Sequence, residues 1–538
     1  VESMKKLLIL SATITFCCAV AAQNLCIPLD LKTEYLENPL GIDSPLPRLS
    51  WRIDDPRPGA KQTAYQLVLG TDSLAVVNGN GNKWDTGKKI SDAILVTYSG
   101  EKLEPFTKYY WKVIVWDKDS RQISSTIRSF ETGMMDMKNW QGAWIGDGKG
   151  IDYKPAPYFR KKFNLKKTIK SARAYIAVAG LYELYVNGSK MGNHFLDPTY
   201  TRFDRRNLYV TYDITSQLQN GDNAVGVLLG NGWYNHQSIG VWDFDRAPWR
   251  NRPTFCMDVR VTYTDGSVET IGTGLDWKTS SGAVIFNSIY TAEHYDARLE
   301  QKGWSTAGFD DSKWHGVRFR GAPSENITAQ QIRPIRRVET VPVFTVKQFN
   351  DTTYLYDFGR NIAGVTKINV TGPEGTVLKL KHGERLYDNG HIDMSNIDVY
   401  YRGDREKDPF QTDILILSGG KDEFMARFNY KGFRYVEVTS SKPVTLDRNS
   451  LVAYFTHSDV PPIGKIETSN DLVDRLWWAT NNAYLSNLMG YPTDCPQREK
   501  NGWTGDGHFA IETALYNFDG ITVYEKWLAD HRDEQQPN

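Results

Sequence analysis

The sequence predicts a mainly β, multidomain chain: three β-sandwich modules in series, then a helical segment too small to fold alone. Three observations carry this expectation. At 538 residues the chain is too long for a single hydrophobic core. Strand-like runs broken by Gly, Asn and Pro turns recur as far as about residue 456. Beyond Pro461-Pro462 the apolar spacing changes to that of a helix.

Met4-Lys5-Lys6, the apolar stretch 7–18 and Ala19-Val20-Ala21 read as a secretory signal over residues 1–22. The stretch is too short to cross a bilayer, so the expected location is periplasmic or secreted, with no membrane span. Residues 24–134 form the first expected module, an immunoglobulin-like or fibronectin-like sandwich with strands at 64–69 and 108–116. A Gly- and Pro-rich linker at 146–157 leads into a second sandwich (140–335). Here Ala172–Ala179 and Tyr182–Val186 read as strands, and Asn187-Gly188 as a hairpin turn. An aromatic loop, Asn231 to His236, follows Gly226–Gly230. The third sandwich (336–457) carries strands at 354–358, 376–381 and 433–438. In the last segment, 463–538, the spacing predicts helices over 470–485, 509–516 and 523–532, the first capped by Asn470 or Ser469. Three such helices leave broad apolar faces uncovered.

Lys+Arg and Asp+Glu both number 64, so the formal net charge is zero and no basic face for a nucleic-acid partner is expected. Aromatic residues make up 12% of the chain; as a count this favours sandwich cores over sugar-stacking faces. Cys26, Cys256 and Cys495 fit neither a disulfide framework nor zinc-ligand spacing and are expected to be buried. The sequence has no Gly-x-Ser-x-Gly elbow, His-Glu-x-x-His helix, Walker loop or Rossmann glycine fingerprint. The acidic stretch 393–408 lacks calcium-loop spacing, and His382, His391 and His508 stand apart from other ligands.

The chemistry concentrates in Tyr491-Pro-Thr-Asp494-Cys-Pro-Gln-Arg-Glu499-Lys-Asn-Gly-Trp503-Thr-Gly-Asp506. Carboxylates beside an aromatic wall suit acid–base attack on a glycosidic bond. Glu499 is the expected acid, with Trp503 as an apolar wall that keeps its carboxyl protonated. The bland alternative makes Asp494-x-x-Gln497 a capping box, with Glu499 on a solvated first helical turn. Asp494 and Asp506 suit either substrate hydroxyls or helix caps, and Arg498 suits a substrate clamp or a weak surface ion pair. Trp477, Trp478 and Trp503 are candidates for a sugar platform, although at least one of the adjacent pair should belong to the helix core.

Asp494-Cys-Pro-Gln-Arg-Glu499 followed by Gly502-Trp-Thr-Gly-Asp506 resembles the signature of bacterial α-L-rhamnosidases of glycoside hydrolase family 78. Supporting likenesses include Glu34 to Asp43, Pro47-Arg-Leu-Ser-Trp51, Tyr182 to Gly188, Tyr295-Asp-Ala-Arg298, Asp357-Phe-Gly-Arg-Asn361 and Gly432-Phe-Arg-Tyr-Val436. The resemblance implies three β-sandwich domains followed by the first helices of an incomplete (α/α)6 barrel. The first two sandwiches would be the immunoglobulin-like and rhamnosidase N-terminal domains, and the third concanavalin-like. It implies inverting release of terminal α-L-rhamnose from an oligosaccharide, polysaccharide or glycoside. Glu499 matches the general acid, and Asp494, Arg498, Trp503 and Asp506 the substrate-binding surroundings. No cofactor is implied for catalysis; some relatives hold calcium in the second sandwich, and no residue of this sequence is assigned to it. The water-activating base is expected beyond Asn538, which predicts weak or no hydrolysis by this chain alone. The rival readings are a non-catalytic carbohydrate-binding protein, an adhesive surface protein, and a related hydrolase of another deoxy-sugar.

Overall fold

The computed structural model describes residues 26–536, so the expected signal segment over 1–22 lies outside the described residues. The chain divides into two compact units. One gathers the described residues as far as Lys32 with Arg48–Glu101 and Tyr109–Ser129; the other takes Thr33–Pro47, Lys102–Lys108 and the chain from Phe130 on.

The first unit is built on two sheets. Strand Ala64–Gly70 pairs with Lys108–Trp116, and Leu67, Leu69, Trp111, Val113 and Val115 are fully buried. In the other sheet, Trp51 is buried and donates its indole N–H to Gln62 Oε1 at 2.9 Å. A buried tryptophan needs such a partner for its polar edge.

The second unit begins with a pair of sheets of seven and six strands. Ile169–Ala179, Thr254–Tyr263 and Asn207–Asp213 lie side by side in one; Pro157–Leu165, Gly221–Gly230 and Leu181–Val186 do so in the other. Between them Phe159, Ile176, Val227, Phe255 and Trp277 form a buried cluster. Asn187 and Gly188 adopt φ of 48° and 87°, the left-handed pair that a two-residue hairpin demands, and join Leu181–Val186 to Ser189–Lys190.

A ten-stranded sheet follows, threaded by the 19-residue strand Thr353–Thr371, whose pairing shifts register between Asp357 and Ile362. Arg434 clamps Asp357 there through two bonds of 2.8 and 2.9 Å, so two of the sequence likenesses serve to brace one strand pair. Glu293–Asp296, which lies inside the second expected module, pairs in parallel with Thr412–Ile416 of this later sheet.

The three long helices are α1 (Asp471–Ser486), α2 (Thr504–Asn517) and α3 (Ile521–Glu534). Asn470 caps α1, its side-chain oxygen accepting from Leu472 N at 3.0 Å. Tyr484, Phe518, Val523, Tyr524 and Trp527 pack with Val460 and Ile332. Arg206, beside the strand Asn207–Asp213, docks α3 through Asp530 and Asp533 at 2.9 and 2.6 Å. Leu472, Leu476, Phe509 and Tyr516 remain exposed, as the helical spacing anticipates. Among the described residues no helix is long and apolar enough to cross a membrane.

Candidate active site

The connection from α1 to α2 is a tied loop, not a helix start. Asp494 N donates to Asn501 O at 3.0 Å, and Asn501 N returns a bond to Asp494 Oδ1 at 3.1 Å. Inside that closure, Cys495 Sγ donates to Asp494 Oδ2 at 3.0 Å and accepts from Glu499 N at 3.3 Å. Burial and the neighbouring Asp494 carboxylate push the Cys495 thiol up to about 12. Lys500 sits in the left-handed region, with φ of 58°, and its buried ammonium reaches into the sandwich floor. Its Nζ donates to the carbonyls of Ile289 and Tyr430 at 2.8 and 2.5 Å and lies 4.3 Å from the Tyr430 ring centroid. Burial holds its pKa well below the usual lysine range. Tyr290 adds a fourth tie, its hydroxyl donating to Arg498 O at 2.8 Å.

Glu499 rides on this braced turn with its side chain only 12% exposed. Its Oε2 accepts the Trp503 indole N–H at 2.7 Å, while Oε1 lies 3.7 Å from Arg498 Nε. This corrects one expectation: Trp503 is 46% exposed and meets Glu499 through its polar edge, orienting the carboxyl rather than walling it from water. The capping-box alternative also fails, because Gln497 donates instead to Glu384 Oε1 at 2.8 Å and Glu499 lies in a turn. Burial raises the Glu384 carboxyl above its ordinary range. Asp506 is exposed on the first turn of α2, where the helix dipole favours a carboxylate, but the N-cap position is Trp503. Arg498 stacks its guanidinium 5.8 Å from the Tyr400 ring.

The ligand atoms of Asp494, Cys495 and Glu499 all lie within 4.8 Å of one another. The hydrogen bonds above account for this convergence, because a thiol that keeps its proton acts as donor to Asp494 rather than as a thiolate ligand. The same spacing matters for catalysis. Inverting glycosidases hold their two carboxyl groups roughly 6.5–9.5 Å apart to admit a water. Asp494 is too close to Glu499 for that role, and both its oxygens already accept bonds.

Trp477 and Trp478 take no part here. Trp477 is half-buried with its N–H on Asn517 Oδ1 at 2.8 Å, while Trp478 is exposed under Arg360; both line a separate recess with Phe455. A cavity of about 470 Å³ lies behind the loop, walled by Tyr200, Trp233, Phe244, Tyr491 and Trp527, and Glu499 is not among its lining residues. Sequence reading missed Tyr290, Glu384, Tyr400 and Tyr430. No local pattern marks them, because each reaches the loop from a segment far away in the chain.

Comparison with known proteins matches four family models along the chain. These are the Rha78A-like N-terminal immunoglobulin domain (28–136), the alpha-L-rhamnosidase N-terminal domain (167–339), the bacterial alpha-L-rhamnosidase concanavalin-like domain (347–457) and its 6 hairpin glycosidase domain (461–538). An alpha-L-rhamnosidase of Formosa agariphila is 34% identical over 98% of this chain and 58% of its own length. One from Streptomyces avermitilis is 27% identical over 93% of this chain and 64% of its own. Among solved structures, the alpha-L-rhamnosidase of Dictyoglumus thermophilum superposes with a TM-score of 0.89 at 36% identity, covering 96% of this chain and 58% of that one. The Aspergillus terreus enzyme gives 0.86 at 31% identity, covering 95% and 58%. The chain therefore spans a little under two thirds of the length of these relatives.

Proposed function

This chain belongs to the bacterial α-L-rhamnosidases of glycoside hydrolase family 78, and we propose that it carries the proton-donating side of their active site. Glu499 protonates the oxygen that links a terminal α-L-rhamnose to its leaving group, and Asp494, Arg498, Trp503 and Asp506 surround the sugar. The observation that supports this reading is the Glu499 carboxyl itself. It is nearly buried and held by Trp503 on Oε2, so the proton is delivered from Oε1, the oxygen that takes no hydrogen bond from Trp503.

The reaction inverts the anomeric carbon, with water activated by a carboxylate other than Asp494. The substrates are rhamnose-terminated oligosaccharides, polysaccharides or glycosides, and the chain is exported. Unaided hydrolysis by these residues is weak. Azide, which needs no base, restores attack on the sugar.

The test compares phenyl and 4-nitrophenyl α-L-rhamnosides, each with azide, in the chain and in its Glu499→Gln variant. Loss of a general acid harms the poor leaving group, phenol, far more than 4-nitrophenol, which departs with little help. Equal losses for both substrates would remove Glu499 from the role of acid. Vigorous azide-independent turnover would place the base within these residues.

A further inference from the structure

Beyond the rhamnose itself, we propose that Trp242 and Tyr400 form a subsite for the pyranose ring on the leaving-group side of the scissile bond. This inference rests on Glu499 being the acid, and deepens that reading.

The two rings come from loops of different sandwiches. Trp242 follows the aromatic loop of the second, and Tyr400 lies in the acidic, turn-rich stretch of the third. The structure locks these loops into one platform. Gly240 and Tyr401 form an antiparallel bridge, and Arg402 N donates to Ile239 O at 2.9 Å. Beneath them, Asp408 accepts from Ser238 and Thr291 hydroxyls at 2.6 and 2.5 Å. That half-buried carboxylate ties the acidic stretch to the second sandwich without any calcium-loop spacing.

On this platform Trp242 and Tyr400 stand edge to face with centroids 5.0 Å apart, both partly exposed. Ile239, Val241 and Val399 flank them with 47%, 40% and 44% exposure, so the platform carries an exposed apolar patch. Its position gives it a use. Arg498 spans from Glu499 Oε1, at 3.7 Å from its Nε, to the Tyr400 ring at 5.8 Å from its guanidinium carbon. Trp503 covers the opposite oxygen of Glu499. A glycosidic oxygen receiving the proton from Oε1 therefore joins a rhamnose on the Trp503 side to a ring that runs over Arg498 towards Tyr400 and Trp242. Aromatic faces bury the apolar face of a pyranose, and a guanidinium beside them takes its hydroxyls.

Calorimetric titration of the full 538-residue chain with L-rhamnose and with 6-O-α-L-rhamnosyl-D-glucose tests this. The disaccharide is expected to bind about tenfold more tightly than rhamnose, the gain of one well-stacked ring. Trp242→Ala should erase most of that advantage and leave rhamnose affinity unchanged; Tyr400→Ala should also erase it, while Tyr400→Phe retains it. An advantage that persists in both alanine variants would overturn the subsite and leave the assignment of Glu499 standing. Failure of either sugar to bind the unaltered chain would contradict both.

Discussion

Trp503 donates its indole N–H to Glu499 Oε2 at 2.7 Å, across the boundary between a turn and the start of α2. The bond fixes the rotamer of a carboxyl whose backbone is already held by Cys495, Tyr290 and Lys500. It also distinguishes the two oxygens, since only Oε2 accepts the indole N–H.

Replacing Trp503 by Phe keeps an aromatic ring and removes the donor. Azide-dependent release of phenol from phenyl α-L-rhamnoside should fall roughly ten- to hundredfold, the range for losing a hydrogen bond to a charged group. Thermal stability should hardly change, because the side chain is 46% exposed. A stability loss as large as that of a core substitution would assign Trp503 to packing.

Lys500 ties the loop to the sandwich floor, and Lys500→Met removes the ties while filling similar volume. The Ile289 and Tyr430 carbonyls then lose their donor in a buried setting. Urea unfolding should show a loss of about 2–4 kcal/mol. A change below about 0.5 kcal/mol, the range of ordinary surface substitutions, would mean these contacts do not brace the turn.

His236 stacks on Trp233 with centroids 5.4 Å apart, and burial lowers its pKa from 6.5 to about 4, helped by the charge of Arg250. The folded state thus binds a proton less readily than the unfolded state. The stability from its neutral form is complete above pH 6.5 and is lost as pH falls towards 4. For so buried a group the loss is on the order of 3 kcal/mol. Melting curves between pH 7 and 4 should fall less steeply for His236→Gln than for the unaltered chain, and parallel curves would contradict the burial argument.

Much of this arrangement is legible in the sequence, for local reasons. The Asn470 cap, the Asn187-Gly188 hairpin and the helical period after Pro462 depend on residues a few positions apart, and the structure contains each. The motif around Glu499 is equally local. What escaped was the direction of side chains and pairing over long separations. Composition shows Trp503 as an apolar neighbour but not which edge it turns towards Glu499. Tyr290 reaches Arg498 across 208 residues, and Glu293–Asp296 finds its strand partner more than a hundred residues later. Neither leaves a periodic trace. Asp494 shows the same limit: its place in the motif does not reveal that both its oxygens accept bonds from within the loop.

The most direct test of the account is the anomeric configuration of the azide adduct formed from phenyl α-L-rhamnoside, read by proton NMR. Protonation by Glu499 with attack from the opposite face gives the β-L-rhamnosyl azide, and Glu499→Gln suppresses it. An α-configured adduct would mean two successive displacements through an enzyme carboxylate, and would contradict the account.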